Sequence, residues 1–412
     1  MIVALLVLLA LLGACRTAPV MQPGPLRPAA VAPSGRDTTC ELVPGPVQPA
    51  GTLSVALRGP VDPAHAPDPV NESERIAFAQ LYEPLIRIDC AGRIVPALAQ
   101  SWIADSGGKR WTFLLRDDAR YWDGAPATAQ DVVAGWQGRD SPVVKGALAV
   151  SAREVRVALP EGVAVAALAT PELAVTKRAP DLGWPIGTGL YWASGKGATG
   201  SLVAQPAGGG RLPVLSFRDL SAVDPRDALD QGTDILVTDD PTIASYAAAR
   251  PQWVVSPLTW DRRYVLVAPP TAMSEAVARE DLARAVHAEA RVADVGKPCA
   301  PADIGAAVAP RTILLPRRIS FDRSDRTARE IVERLVARGS LGAGVAAAGL
   351  APADFLAAVR QQQLWAYVTM VRPPAAGCYG VPLIETRSSA VLRRGIPRLA
   401  LDADGTIRVI AR

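Results

Sequence analysis

Proline sets the first limit on what this chain can become. Thirty-seven prolines and 34 glycines, with no fixed period, exclude a collagen repeat and interrupt any helix long enough for a coiled coil. Against them stands a hydrophobic fraction of 49% in 412 residues, enough to bury a large core and too much for wholesale disorder. A folded chain of two or three domains remains. Charge narrows its function, because 44 basic and 40 acidic residues nearly cancel to +4 and give no electrostatic case for nucleic acid. Only two histidines are present, and neither His65 nor His287 has a convincing partner nearby in sequence. No Gly-x-Ser-x-Gly elbow stands out either, so no catalytic residue, metal or cofactor is expected, and the chain reads as a non-enzyme.

The prolines also crowd one place. Residues 16–50 carry Pro19, Pro23, Pro25, Pro28, Pro33, Pro44, Pro46 and Pro49 and few large apolar side chains, so they read as an extended tether. Before the tether, Met1 to Leu12 are almost wholly apolar and run into Leu12-Gly-Ala-Cys15. Twelve helical residues are too short for a hydrocarbon core of about 30 Å, which makes this a signal h-region before it is a membrane span. Leu-Gly-Ala-Cys resembles the bacterial lipobox, and the resemblance implies residues 1–15 as a lipoprotein signal with Cys15 as the lipidated residue. Each buried acyl methylene contributes about 0.8 kcal/mol, so a soluble body can be held at a membrane without a spanning helix. One departure is that no Lys or Arg precedes the h-region. Four further cysteines, Cys40, Cys90, Cys299 and Cys378, suit two disulfides in an exported protein. Of three pairings, proximity favours Cys40–Cys90 with Cys299–Cys378; four unpaired thiols are the alternative.

From Gly51 the pattern becomes that of a body. Thr52–Leu57 alternates as a strand, Arg58 to Pro63 breaks it, and Ser73 to Leu85 carries apolar residues at helical spacing. Trp111, Phe113 and Leu115 share a strand face, Asp123-Gly124 makes a turn, and Thr128 caps a helix that holds Asp131 near its positive end. Trp102, Trp111 and Trp122 read as packing residues, and Arg116 and Asp131 as an ion pair or caps. The ordered series Pro96, Leu98, Ala99, Ser101, Trp102, Trp111, Phe113, Leu115, Arg116, Trp122, Asp123, Gly124, Thr128, Ala129, Asp131 and Val132 resembles the extracytoplasmic solute-binding proteins of family 5, the oligopeptide, dipeptide and nickel binders of ABC importers. Pro185-Ile-Gly-Thr-Gly-Leu-Tyr191 and Ala228-Leu-Asp-Gln-Gly-Thr-Asp-Ile235 resemble later family segments in the same order. The similarity is densest before Trp136 and thin after it.

The resemblance implies an α/β, two-lobed, type II periplasmic-binding-protein-like fold, with mixed sheets flanked by helices and a reduced extra subdomain. Its expected division is lobe 1 over 51–260, with the subdomain at about 138–180, lobe 2 over 261–385, and 386–412 returning to lobe 1. The ligand would lie between lobes that close on a hinge. Candidate contacts are Asp62, His65, Asn71, Trp184, Tyr191, Trp260, Arg262, Tyr264, Trp365 and Arg372, the aromatics offering stacking area and the arginines donors for a carboxylate. Gly187-Thr-Gly189 suits unusual backbone angles and close approach at a crossover between lobes. Peptide-binding relatives commonly carry an aspartate after a tryptophan near Gln363 to Pro374, where this chain has no Asp or Glu, so an anionic or neutral ligand meeting Arg262 or Arg372 is expected. The leading expectation is a monomeric solute-binding lipoprotein at the periplasmic face of a membrane, handing a small or peptide-like solute to ABC permease subunits. The alternative is a degenerate relative acting as sensor, chaperone or envelope interaction protein.

Overall fold

A computed structural model describes residues 40–46, 51–137, 139, 143–179, 181–194, 201–208, 212–268, 279–286, 289–293, 316–372 and 380–410. Cys15, His287, Cys299 and Cys378 lie outside the described residues, and so does most of the Pro-rich segment. No described helix is long and apolar enough to cross a membrane.

Strand Thr52–Leu57 organises the first body. Its apolar residues split by parity: Leu53, Val55 and Leu57 enter one core, while Ala56 enters a second on the opposite face. Ile235 and Val237 against Leu236 repeat the division, and so do Ala390 and Leu392 against Val391. A strand buried on both faces must lie inside a sheet, and Thr52–Leu57 is the centre of seven. The order is 191–194, 201–206, 214–219, 52–57, 235–238, 389–393, 253–257, with parallel pairing on both sides of Thr52–Leu57. Strand Ser389–Arg393 is inserted late, antiparallel between Ile235–Thr238 and Trp253–Pro257. This is lobe 1. Helix α1 (Glu72–Leu81) covers it, with Ile76, Phe78 and Leu81 in its main core.

The first disulfide expectation holds, since Cys40 and Cys90 are bonded and both are buried in lobe 1. The bridge secures strand Glu41–Leu42, which pairs with 399–401 of the closing hairpin.

A separate core gathers residues from Leu85 to Ile186. Here the antiparallel sheet 99–104, 110–115, 154–158, 148–149 packs on helix α2 (Ala129–Trp136). Phe113 and Leu115 are fully buried, as the period-2 reading requires. Gly124 takes φ +86 in the expected turn. Thr128 and Asp131 form a reciprocal capping box, which satisfies two backbone donors that the first helical turn leaves open. Arg116 pairs with Glu83 at 2.9 and 3.2 Å, so it braces the entry to this module while Asp131 serves the cap.

The Gly-Thr-Gly loop joins the module to lobe 1, which differs from the lobe-to-lobe crossover expected of it. Neither glycine has a positive φ. What the position demands is space: a Cβ on Gly187 would overlap the Leu81 carbonyl oxygen and the Tyr82 ring, and one on Gly189 would overlap the Gln80 and Leu81 backbone.

Lobe 2 is a six-stranded mixed sheet in the order 290–292, 381–386, 262–267, 366–371, 318–322, 346–350. Helices α3 (Pro225–Asp230) and α4 (Pro241–Ala248) belong to lobe 1, whereas α5 (Arg279–Val286), α6 (Arg326–Ala337) and α7 (Pro352–Arg360) belong to lobe 2. Ile331, Val332 and Leu335 of α6 are buried in one core with Ile319, Phe321 and Val368. Among the described residues the chain passes between lobes twice, through Leu258–Asp261 and back through Arg387–Ser388.

Candidate interlobe binding cleft

Between the lobes lies an open cavity of 1590 Å³. Strands end there and helices begin there, as α/β crossovers dictate, so loop residues beyond the strand ends form its walls. The starts of α1, α3, α4 and α6 all reach the cavity, capped by Asn71, Asp224, Asp240 and Asp325. Each cap accepts a backbone N–H of its own helix at 2.8–2.9 Å. The carboxylate caps offset the positive ends of their helices, so these starts do not make the cleft an anion trap.

Of the ten residues expected from sequence, four line the cavity: Asn71, Arg262, Tyr264 and Arg372. Six are placed elsewhere. Asp62 caps the short turn Pro63–His65, and His65 Nδ1 meets Glu74 Oε1 at 2.7 Å. Trp184 and Tyr191 are core residues, 5% and 0% exposed, with Trp184 edge-on to Phe78. Trp260 stacks against the guanidinium groups of Arg291 and Arg387 at 4.5 and 4.6 Å, and Arg317 lies over Trp365 at 5.4 Å. Large aromatic surface gains more from burial and from guanidinium stacking than from a wet cleft, which is why most of the aromatic candidates went there.

The cleft is instead lined by paired charges. Arg262 donates to Asp239 at 3.0 Å and to Ser388 at 2.9 Å. Tyr264 donates to Asp325 at 3.2 Å. Burial pushes the Asp325 carboxyl above its ordinary value despite the Ala328 N–H and Tyr264 hydroxyl it accepts. At another wall Asp402 holds Arg87 at 2.6 Å and Arg408 at 2.7 Å.

The densest cluster joins the lobes. Arg372, directly after lobe 2 strand Ala366–Val371, bonds Asp261 on the crossover, Glu72 at 2.5 Å on α1 and the Asp404 carbonyl at 3.3 Å on the closing hairpin. Arg75 supports the same acids, pairing with Glu72 and, at 3.3 Å, with Asp404. Burial works against the Glu72 carboxylate, but Arg75 and Arg372 outweigh it and hold its pKa below the ordinary value. Asp404 is likewise held low, since Arg75 and the Thr406 donors overcome its burial. Asp261 goes the other way, because burial raises it more than Arg372 and Arg262 lower it. Sequence reading missed Glu72, Arg75, Asp261 and Asp404, which as isolated acids and bases carry no local signal.

Residues 93–191 match the model of the bacterial extracellular solute-binding proteins, family 5 Middle. That match covers about a quarter of the chain. The chain is 39% identical over 72 residues to the nickel-binding periplasmic protein of Escherichia coli strain K12, covering 18% of this chain and 13% of that protein. It is 42% identical over 77 residues to the periplasmic murein peptide-binding protein MppA of the same strain, covering 19% of this chain and 14% of that protein. These sequence matches therefore span about an eighth of the curated relatives' length. The fold likeness extends much further. NikA from Brucella suis, in complex with Fe(III)-EDTA, superposes with a TM-score of 0.62 at 16% identity, covering 86% of this chain and 98% of that one. The Escherichia coli murein tripeptide binding protein MppA gives 0.61 at 14% identity, covering 89% and 100%.

Proposed function

We propose that this protein is the solute-capturing component of an ABC importer, held at the periplasmic face of a bacterial membrane by a lipid on Cys15 and a Pro-rich tether. The observation that carries the reading is the open cavity of 1590 Å³ between two lobes joined by two crossovers. A ligand that touches both walls favours the closed arrangement by its extra contacts there, and closure presents a loaded shape to the permease. The relatives named for nickel and for murein peptide give the reading its class of partner. No chemistry of the protein's own is required.

The cavity exceeds the roughly 300–1,000 Å³ of pockets for drug-sized molecules, so a peptide-like solute with accompanying water fits. Charged walls suit a polar solute. Because Arg262 and Arg372 are already engaged with acidic partners, a ligand carboxylate would compete with those pairs, and neutral polar groups are the easier fit.

The test is a thermal-shift panel of peptides, murein fragments, amino acids, sugars and metal chelates on the full chain, followed by small-angle scattering with any hit. A true ligand raises the melting temperature by mass action and reduces the radius of gyration. A hit that leaves the radius unchanged, or no hit across the panel at millimolar concentration, refutes capture by closure.

A further inference from the structure

The interlobe cluster is built like a recognition site that already has an occupant. Three acceptors converge on the Arg372 guanidinium: the Glu72 and Asp261 carboxylates and the Asp404 carbonyl. Two of them come from lobe 1 and one from the crossover, while the guanidinium comes from lobe 2. The two terminal nitrogens reach one carboxylate each, on two sides, and these charge-assisted bonds fix the orientation of the planar group. The socket is rigid behind its acceptors. Arg75, itself buried, grips Glu72, Asp404 and Thr406 from the rear. Gly405, at φ +78, lets the hairpin approach Asp261 so closely that a Cβ there would sit 3.0 Å from its carboxyl carbon. Asp261 is 4% exposed at its side chain, and its Oδ1 has no hydrogen-bond partner among the described residues. Without Arg372 the socket would hold Glu72, Asp261 and Asp404 against Arg75, with Arg262 Nε at 3.9 Å from Asp261. Of these acids only Asp261 is closed off from solvent, the Glu72 and Asp404 side chains being 37% and 23% exposed, so it is the buried Asp261 carboxylate that most needs a cation beside it.

We propose that Arg372 is a built-in occupant of a guanidinium-binding socket, and that by filling it lobe 2 sets the specificity of the cleft, shutting guanidinium and ammonium groups of ligands out of the hinge end. The consequence for ligands rests on the solute-binding reading above, whereas the socket and its occupant do not. Ligands of the intact protein are therefore those whose hinge-facing end is neutral or anionic, and Arg372 is a specificity determinant that touches the bound solute's neighbours more than the solute itself.

Removal of the plug should convert the socket into a site for an external cation. Arg372→Ala is expected to lose melting temperature and to regain it in millimolar guanidinium chloride, relative to equal sodium chloride, a concentration far below the molar range in which this salt denatures. Agmatine should act in the same direction. The wild type should show no such gain. The double variant Arg372→Ala/Asp261→Asn, which removes the buried charge as well, should fold without guanidinium and lose the response. An equal response in wild type and Arg372→Ala, or an undiminished response in the double variant, overturns the socket. If Arg372→Ala folds only in guanidinium, the idea is supported, and a double variant that then fails to fold in plain buffer contradicts it. Isothermal titration of the wild type with agmatine tests the exclusion separately, where a saturable heat that Tyr264→Ala abolishes would show that the cleft accepts cations with the plug in place. None of these outcomes depends on transport, so a failed ligand panel and a failed socket remain distinguishable.

Discussion

Breaking the Cys40–Cys90 bridge should weaken lobe 1 through the unfolded chain more than through the folded one. The bonded cysteines are 50 positions apart. For a loop of that length, chain entropy assigns the cross-link about 4 kcal/mol at 25 °C. The folded state has reason to keep its geometry without the bond, because Cys90 N–H donates to the Leu401 carbonyl at 3.0 Å and Leu401 N–H donates to the Cys40 carbonyl at 2.9 Å. Both cysteines are therefore held to the same strand by backbone hydrogen bonds, and strand Glu41–Leu42 keeps its register with 399–400. The variant is Cys40→Ala/Cys90→Ala, compared with the oxidised protein in urea with tryptophan fluorescence as the probe. With a slope of about 3 kcal/mol/M for the unfolding unit, a loss of about 4 kcal/mol moves the midpoint down by about 1.3 M. The lobe 2 core contains neither cysteine, so a transition belonging to it should keep its midpoint. An unchanged lobe 1 midpoint, in a protein whose disulfide has been confirmed by mass, refutes the reasoning. A folded variant that has lost the 41–42 pairing would refute the second half of it.

Two further outcomes follow from the same structure. Gly187→Ala places a methyl against the Leu81 carbonyl and the Tyr82 ring, so it should destabilise by about 1–3 kcal/mol, read as a lower urea midpoint; a neutral effect would mean that the loop can retreat from α1. His65 has its pKa raised above 6.5 by its bond to Glu74, reinforced by the charges of Glu74, Asp62 and Asp68 against a smaller opposing effect of burial. Its contribution to stability is fully present below the unfolded pKa and is lost as pH rises through the folded one. An NMR titration of His65 should show a midpoint above 6.5 that falls in Glu74→Gln, and a midpoint at or below 6.5 would contradict the pairing.

The segment most legible in the sequence is the one where local rules and tertiary packing agree. Between Pro96 and Trp136 the alternation at Trp111, Phe113 and Leu115, the Asp123-Gly124 turn and the Thr128 cap each fix structure within a few residues. The same stretch supplies the match to family 5. Helix α6 follows the same local rule, since Ile331 and Leu335 lie one turn apart on a single face and both are buried. The cleft was far less legible. Aromatic residues named as ligand contacts were sorted by burial energy, and Trp184 and Tyr191 joined the core of lobe 1 while Trp260 found two guanidinium partners. Leu81 and Leu85 are four positions apart yet enter different cores, a division no periodicity announces.

What the sequence determined by itself was therefore local: turns, caps, strand faces, a favoured disulfide and a family signature in one quarter of the chain. The tertiary structure alone decided the chemistry of the cleft. Glu72, Asp261, Arg372 and Asp404 come from a helix start, a crossover, a strand end and a hairpin, and of the four only Arg372 was singled out in the sequence, as a donor to a ligand and not as the partner of these acids. They meet because the chain crosses between lobes at 258–261 and returns at 387–388, threading Ser389–Arg393 into the first sheet before the closing hairpin packs beside the hinge. Electrostatic partners are chosen by distance in space, and that distance was set only once both crossings were in place.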